Sequence, residues 1–220
     1  TIGSIAGMGW VLLDPGITLT AGANNQSTTY SGVIAGGGGS FTKTGIGTLI
    51  LSGNNGYTGA TSILQGTLKV KGTLMDSSAV NVSHGATYAV EQTDTIGSIA
   101  GAGSIEIADG KTLTAGGLNT DTEVSGVISG GGNFTKEDPA TLSISSDNAL
   151  QLTGTTTVKS GMIDFRKSSQ VIADLVVNEG AKVSNGNLAL EKLNNSGEII
   201  VDSLAGTSAG NTFNNIYGSI

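Results

Sequence analysis

Gly39 to Gly72 reads GSFTKTGIGTLILSGNNGYTGATSILQGTLKVKG. Three short β-type runs, Thr48 to Leu51, Thr61 to Leu64 and Thr67 to Val70, are separated by Gly and Asn turns that leave no room for a helix. Apolar residues alternate with Thr or Lys, as in Thr67-Leu-Lys-Val70. This period of two puts one face in a core and the other in water. Runs this short cannot enclose a core alone, so further runs of the same kind must stack on them.

The rest of the chain supplies those runs. Thr1 to Gly38 laid over Thr95 to Gly132, an offset of 94, is identical at 23 of 38 positions. TIGSIAGMGW recurs as TIGSIAGAGS, and YSGVIAGGG as VSGVISGGG. With one deletion, Ser40 to Lys43 then aligns with Asn133 to Lys136, and Thr48 to Leu51 with Thr141 to Ile144. The reading is one unit over residues 1–220, duplicated as 1–94 and 95–190. In the second copy Glu137-Asp-Pro-Ala140 replaces Thr44-Gly-Ile-Gly47, which loosens the expected turn. Strands are expected over Ile2 to Ile5, Gly9 to Leu13, Tyr30 to Ile34, Ala79 to Val82 and Val124 to Ile128, among others. The best helix candidate, Leu188 to Asn194, is short and flanked by turns.

Composition agrees with a thin core. The chain has 36 glycines, 2 prolines and 4% aromatic residues, but 37% hydrophobic residues. That is too apolar for disorder and too poor in bulky side chains for a thick layered domain. Ten Lys and Arg against 17 Asp and Glu give a net charge of −7. This acidic balance argues against nucleic acid as a partner, which clustered cations would be needed to bind. Zero cysteines exclude disulfides, thiol nucleophiles and thiolate metal sites. No apolar run approaches a membrane span and no signal-type segment begins the chain. It opens in mid-repeat at Thr1, which reads as an excised or processed piece.

The string from Phe41-Thr-Lys-Thr-Gly-Ile-Gly through Gly-Thr-Leu-Lys-Val70 resembles the passenger-associated repeat of bacterial autotransporters, the type V secreted surface proteins. The resemblance implies one to two coils of a parallel β-helix on a secreted passenger. A β-sandwich also has many short strands and turn signals. The duplicated Gly-rich punctuation and the resemblance favour an all-β, right-handed parallel β-helix, its hand following from the family and from the preference for right-handed crossovers. At ~4.8 Å between strands and ~22 residues per coil, the chain makes roughly ten coils and a rod of about 45 to 50 Å.

Candidate chemistry is sparse. Gly36 to Gly39 and Gly130 to Gly132 lack the Lys-Ser or Lys-Thr opening a helix that a phosphate loop requires, and read as turns with positive φ. No Asp follows them, as a calcium-binding β-roll would need. The lone His84 lies in a turn whose counterpart carries Glu179, which reads as a solvated corner. Asp164 with Arg166 and Lys167 comes nearest to the acid and cation set of a polysaccharide-acting β-helix enzyme. The other carboxylates cluster at Asp121 and Glu123 and at Glu137 and Asp138, and stand singly at Glu106, Asp109 and Asp174, and a polar outer face is the simpler reading of all of them. Trp10, Tyr30, Tyr57 and Tyr88, with Tyr217, are candidate surface aromatics for stacking on a sugar or a protein.

No catalytic residue, cofactor or metal is expected. The resemblance implies a structural or adhesive stalk on the surface of a Gram-negative cell. Its partners would be a host or neighbouring-cell protein or glycan, and its own C-terminal outer-membrane β-barrel. The alternatives are a polysaccharide lyase or hydrolase, and the stalk of a toxin or protease passenger whose active domain lies elsewhere.

Overall fold

Thr48–Leu51 and Thr67–Val70 lie side by side in one parallel ladder, Thr48 opposite Thr67 and Leu51 opposite Val70. The same pairing repeats along the molecule. In the computed structural model, which describes residues 1–206 and the backbone of Ile216–Ser219, every paired strand runs parallel to its neighbour and no helix forms among the described residues. The result is a solenoid of about 10 turns.

Three ladders make its sides. One follows Thr28–Tyr30, Thr48–Leu51, Thr67–Val70, Thr87–Val90, Ser104–Ile107, Val127–Gly130 and Leu150–Leu152. A second is short: Trp10–Leu12, Val33–Gly36 and Gly56–Tyr57. The third starts at Thr18–Ala21 and Ser40–Lys43 and ends in long strands, among them Asn133–Ile144, Thr155–Asp164 and Asn187–Asn195. Inter-coil hydrogen bonds span from 15 residues, Asn185 to Ile200, to 25, Gly132 to Ile107. Coil length therefore varies around the expected repeat.

Stacking sets the core. Register places Leu49, Leu68, Tyr88, Ile105, Ile128 and Leu150 in one inward row, and all six are buried. Each such side chain removed from water contributes about 1.5–3 kcal/mol, realised only when the coils above and below are present. Between these rows, Ile50, Lys69 and Glu106 face outward and carry the polar surface.

Glycine sets the corners. Gly36 and Gly130 have φ of 133° and 119°, and a Cβ there would lie 1.9 Å from the Leu13 carbonyl oxygen and 2.1 Å from that of Ile107. Both Gly runs are therefore turns at close backbone approach, as their sequence indicates.

The structure corrects several element readings. Ile2 to Ile5 holds only a single bridge, Ile2 to Ala21. The runs Tyr30 to Ile34 and Val124 to Ile128 each break in two, because the chain turns at Ser31-Gly32 and Ser125-Gly126. A Cβ at Gly32 or Gly126 would lie 2.2 or 1.8 Å from the carbonyl of Gly9 or Gly103, so these glycines are corners where coils touch. Ser40–Lys43 and Thr87–Val90 are strands that local pattern did not single out. The helix candidate is part of the strand Asn187–Asn195. Glu137 to Ala140, without glycine, stays extended within Asn133–Ile144, with a register shift against Thr155–Asp164.

Candidate functional site

Two acids distant in sequence, Asp121 and Glu123, come together with Asp164 and Arg166. Asp121 and Glu123, Thr141 and Ser143, Met162 and Asp164, with Arg166, line an open groove across three successive coils. Its three carboxylates and the Arg166 Nε are already engaged. Asp121 accepts from the Thr141 amide at 2.7 Å, and Glu123 from the Ser145 hydroxyl at 2.6 Å. Asp164 accepts from the Arg166 amide at 3.0 Å and the Asn185 side chain at 2.8 Å, and Arg166 Nε donates to Ser143 at 3.0 Å. Arg166 and Lys167 hold φ of 48° and 66°, a left-handed turn that turns the chain after Asp164. All of these hydrogen bonds but that of the Arg166 amide to Asp164 join residues 20–23 apart, so the carboxylates brace one coil to the next. A glycosidase's general acid needs shelter from water to keep its proton, and this groove faces solvent. Lys167 does not line it. Glu137 and Asp174 are paired elsewhere, with Lys159 and with Lys192. His84 is exposed, as a corner residue should be. Among the described residues no group of three or more His, Asp or Glu is placed to hold a metal ion.

The aromatic reading is corrected at three of four positions. Tyr30, Tyr57 and Tyr88 are 4%, 0% and 0% exposed, so none can stack on an external ligand. Each points inward because strand alternation turns it there: Tyr88 sits in the row between Leu68 and Ile105. Period-two alternation counted back from Val90 would have found it. Tyr30 donates to the Gly9 carbonyl at 3.2 Å, and the Tyr57 ring lies 6.1 Å from that of Phe41. Tyr57 also begins a buried hydroxyl chain. Ser78 donates to the Gly59 carbonyl, so Thr61 must donate to Ser78 and Tyr57 to Thr61. Tyr217's side chain lies outside the described residues.

Trp10 alone of the four is outward, at 80% exposed, and it has company. Met8, Trp10 and Leu12 alternate along one edge at 86%, 80% and 75% exposed. The duplicate positions, 94 residues on, are Ala102, Ser104 and Glu106. An outward apolar row in the first copy thus stands where the second copy has small or charged residues. Trp10 and Leu12 lie beside Val33 and Ala35 of the next coil, which extends the row laterally.

Two buried lysines escaped sequence reasoning. Lys43 is 1% exposed, and its ammonium donates to the carbonyls of Thr44 at 2.8 Å, Gly45 at 2.7 Å and Gln65 at 3.2 Å. Burial lowers its pKa from the ordinary lysine value. Lys136, its counterpart, is 4% exposed and donates to the Asp138 carbonyl at 2.6 Å and to the Asp138 carboxylate. The only available signal was position: each lysine falls on the inward phase of its strand, after Phe41 or Phe134.

These two corners fall inside the segments that known proteins share. The family model described as passenger-associated-transport-repeat matches residues 41–70 and 134–163. The chain is also similar to an adhesin BmaC autotransporter of Brucella suis biovar 1 (strain 1330), 34% identical over 169 residues. That match covers 70% of this chain and 5% of the relative, so the chain spans a small part of that protein's length. No solved structure matches the chain.

Proposed function

We propose, from the premise that this chain belongs to the autotransporter passengers built on passenger-associated transport repeats, that it is a stiff β-helical stalk segment presenting an adhesive surface. Such passengers lie at the surface of Gram-negative bacteria or are released from it. A parallel ladder suits a stalk, because a load along the rod is shared at each coil interface by several hydrogen bonds. The adhesive part of the reading rests on one observation, the exposed row Met8, Trp10 and Leu12 where the duplicate has Ala102, Ser104 and Glu106. An exposed tryptophan flanked by aliphatic side chains suits a flat apolar or sugar face on a protein or glycan of a host or neighbouring cell. In the full-length chain the remaining partner is its own C-terminal outer-membrane β-barrel. The reading includes no catalytic step and no cofactor.

The test replaces the row by its duplicate, Met8→Ala, Trp10→Ser and Leu12→Glu together, and measures attachment of the chain to host and bacterial cells. Attachment should fall several-fold with an unchanged β-type circular dichroism spectrum. Equal attachment by the variant would overturn the adhesive role of this face. Incubation with pectate or alginate should release no unsaturated or reducing ends. Release abolished by Asp164→Asn with Arg166→Met would establish a polysaccharide-acting enzyme instead.

A further inference from the structure

Asp94 is out of place by the logic of the core. It begins the strand Asp94–Ile96, whose register sets it opposite Leu113, and Leu113 in turn opposite Phe134. Its next two neighbours in that row are thus apolar, and Asp94 is 4% exposed. The carboxylate joins two coils: one oxygen accepts the Leu74 amide of the preceding coil at 3.0 Å, the other the Thr95 amide at 3.1 Å. The Tyr88 hydroxyl, fully buried in the coil below, has no partner.

The surroundings oppose a charge. The ionisable groups that act on Asp94 or feel its charge are Asp76 on the neighbouring corner, Tyr57 and Tyr88. All are acidic or neutral, and Asp94 forms no ion pair among the described residues. Two amides stabilise the carboxylate, but removal from water outweighs them, with repulsion from Asp76 adding to it. The carboxyl is pushed up to about 7.

We propose that Asp94 is a pH-responsive latch on the seam between the coil of Thr73 to Val90 and the coil of Asp94 to Ile107. With its proton on, the carboxyl is a neutral group beside Leu113 whose carbonyl oxygen still accepts from an amide. With its proton off, the buried charge favours opening of the seam to water. The direction follows from linkage. A carboxyl whose folded pKa is raised binds its proton more tightly folded than unfolded. Its stabilisation is full below the ordinary value of 3.8, declines as pH rises, and is gone above about 7. The latch is independent of the adhesive reading, and it makes the middle of the rod firmest in mild acid.

Two measurements on the 220-residue chain test this. The first is the 13C carboxyl titration of Asp94, assigned by its loss in Asp94→Asn. A midpoint near neutrality is expected, and a midpoint in the ordinary carboxylate range overturns the proposal. The second is amide hydrogen exchange, corrected for intrinsic pH dependence, at Leu74 and at Gly97, which donates to Ser78 across the same seam at 2.9 Å. Protection there should fall by about tenfold or more between about pH 5 and about pH 8, relative to remote amides such as Asn178. Protection flat with pH at the seam, or falling equally everywhere, overturns it. In Asp94→Asn the pH dependence at the seam should vanish whatever the absolute protection.

Discussion

The two matched repeats close the same corner by different chemistry. In the first, Lys43 lies in a cage of three main-chain carbonyls, Thr44, Gly45 and Gln65. In the second, Lys136 keeps the carbonyl two residues on, now that of Asp138, and exchanges the other two acceptors for the Asp138 carboxylate. Gly45, with φ of 69°, turns the first corner tightly enough to present its own oxygen and its neighbour's. The Glu137-Asp-Pro-Ala140 corner lacks glycine, stays extended and relies on a side chain. Each repeat thus buries one positive charge against oxygen, and what differs is whether the partner is backbone or a removable carboxylate.

That difference orders the mutational effects. Lys136→Met should be the most damaging single change, because it strands a buried carboxylate, at a cost of about 3–5 kcal/mol. Lys43→Met strands only neutral carbonyls and should cost about 1–3 kcal/mol. Urea unfolding followed by circular dichroism, or exchange of amides near each corner, reads both. Adding Asp138→Leu to Lys136→Met should recover more than half of the loss, whereas no single neighbouring substitution can rescue Lys43→Met, whose acceptors are main chain. Equal losses from the two lysine variants, or no recovery in the double variant, would break the distinction.

Glycine substitutions sharpen the same comparison from the side where the copies agree. Gly36→Ala and Gly130→Ala should each cost about 1–3 kcal/mol, since both combine positive φ with a Cβ collision against a carbonyl. Clearly unequal costs would show that the copies differ at this turn as well.

The smallest effect is expected on the outer face. Lys69 and Glu91 approach to 2.8 Å while about a third exposed, and Lys69→Met should cost only about 0.2–1 kcal/mol, less at high salt. The Lys69 hydrogen bond holds the Glu91 carboxyl below its ordinary value of 4.5. Its share of stability is present above that value and is lost as pH falls through the lower folded value, opposite in sign to Asp94. A stability loss above ~2 kcal/mol would mean that this exposed pair matters more than its solvation allows.

Much of this was legible because solenoid packing is local in sequence. Thr48-Leu-Ile-Leu51 and Thr67-Leu-Lys-Val70 announce strand, face and period together, and the duplicated glycine runs mark the corners. What pattern alone missed depends on how one coil meets the next. Tyr57 and Tyr88 read as surface aromatics until register put them in interior rows. Lys43 and Asp94 could not be singled out, because nothing local tells that a cage of carbonyls or a pair of amides waits inside. Tyr30 to Ile34 read as one strand because its break arises where Gly32 meets the Gly9 carbonyl of another coil. At the groove, sequence supplied Asp164 and Arg166 as neighbours, but only the stacking of three coils adds Asp121 and Glu123 beside them.

The central claim is that each coil lies directly on the one before. Ile50, Lys69, Ala89, Glu106, Ser129 and Gln151 follow one another in register along one ladder. The chain has no native cysteine, so spin labels on introduced cysteines can be placed in pairs at will. Pulsed electron–electron distances should lengthen by ~4.8 Å per coil, to about 19 Å of backbone separation for Ile50→Cys with Ser129→Cys and about 24 Å for Ile50→Cys with Gln151→Cys. Distances that do not grow from the first pair to the second, or that vary without relation to the number of intervening coils, would contradict the stacked solenoid.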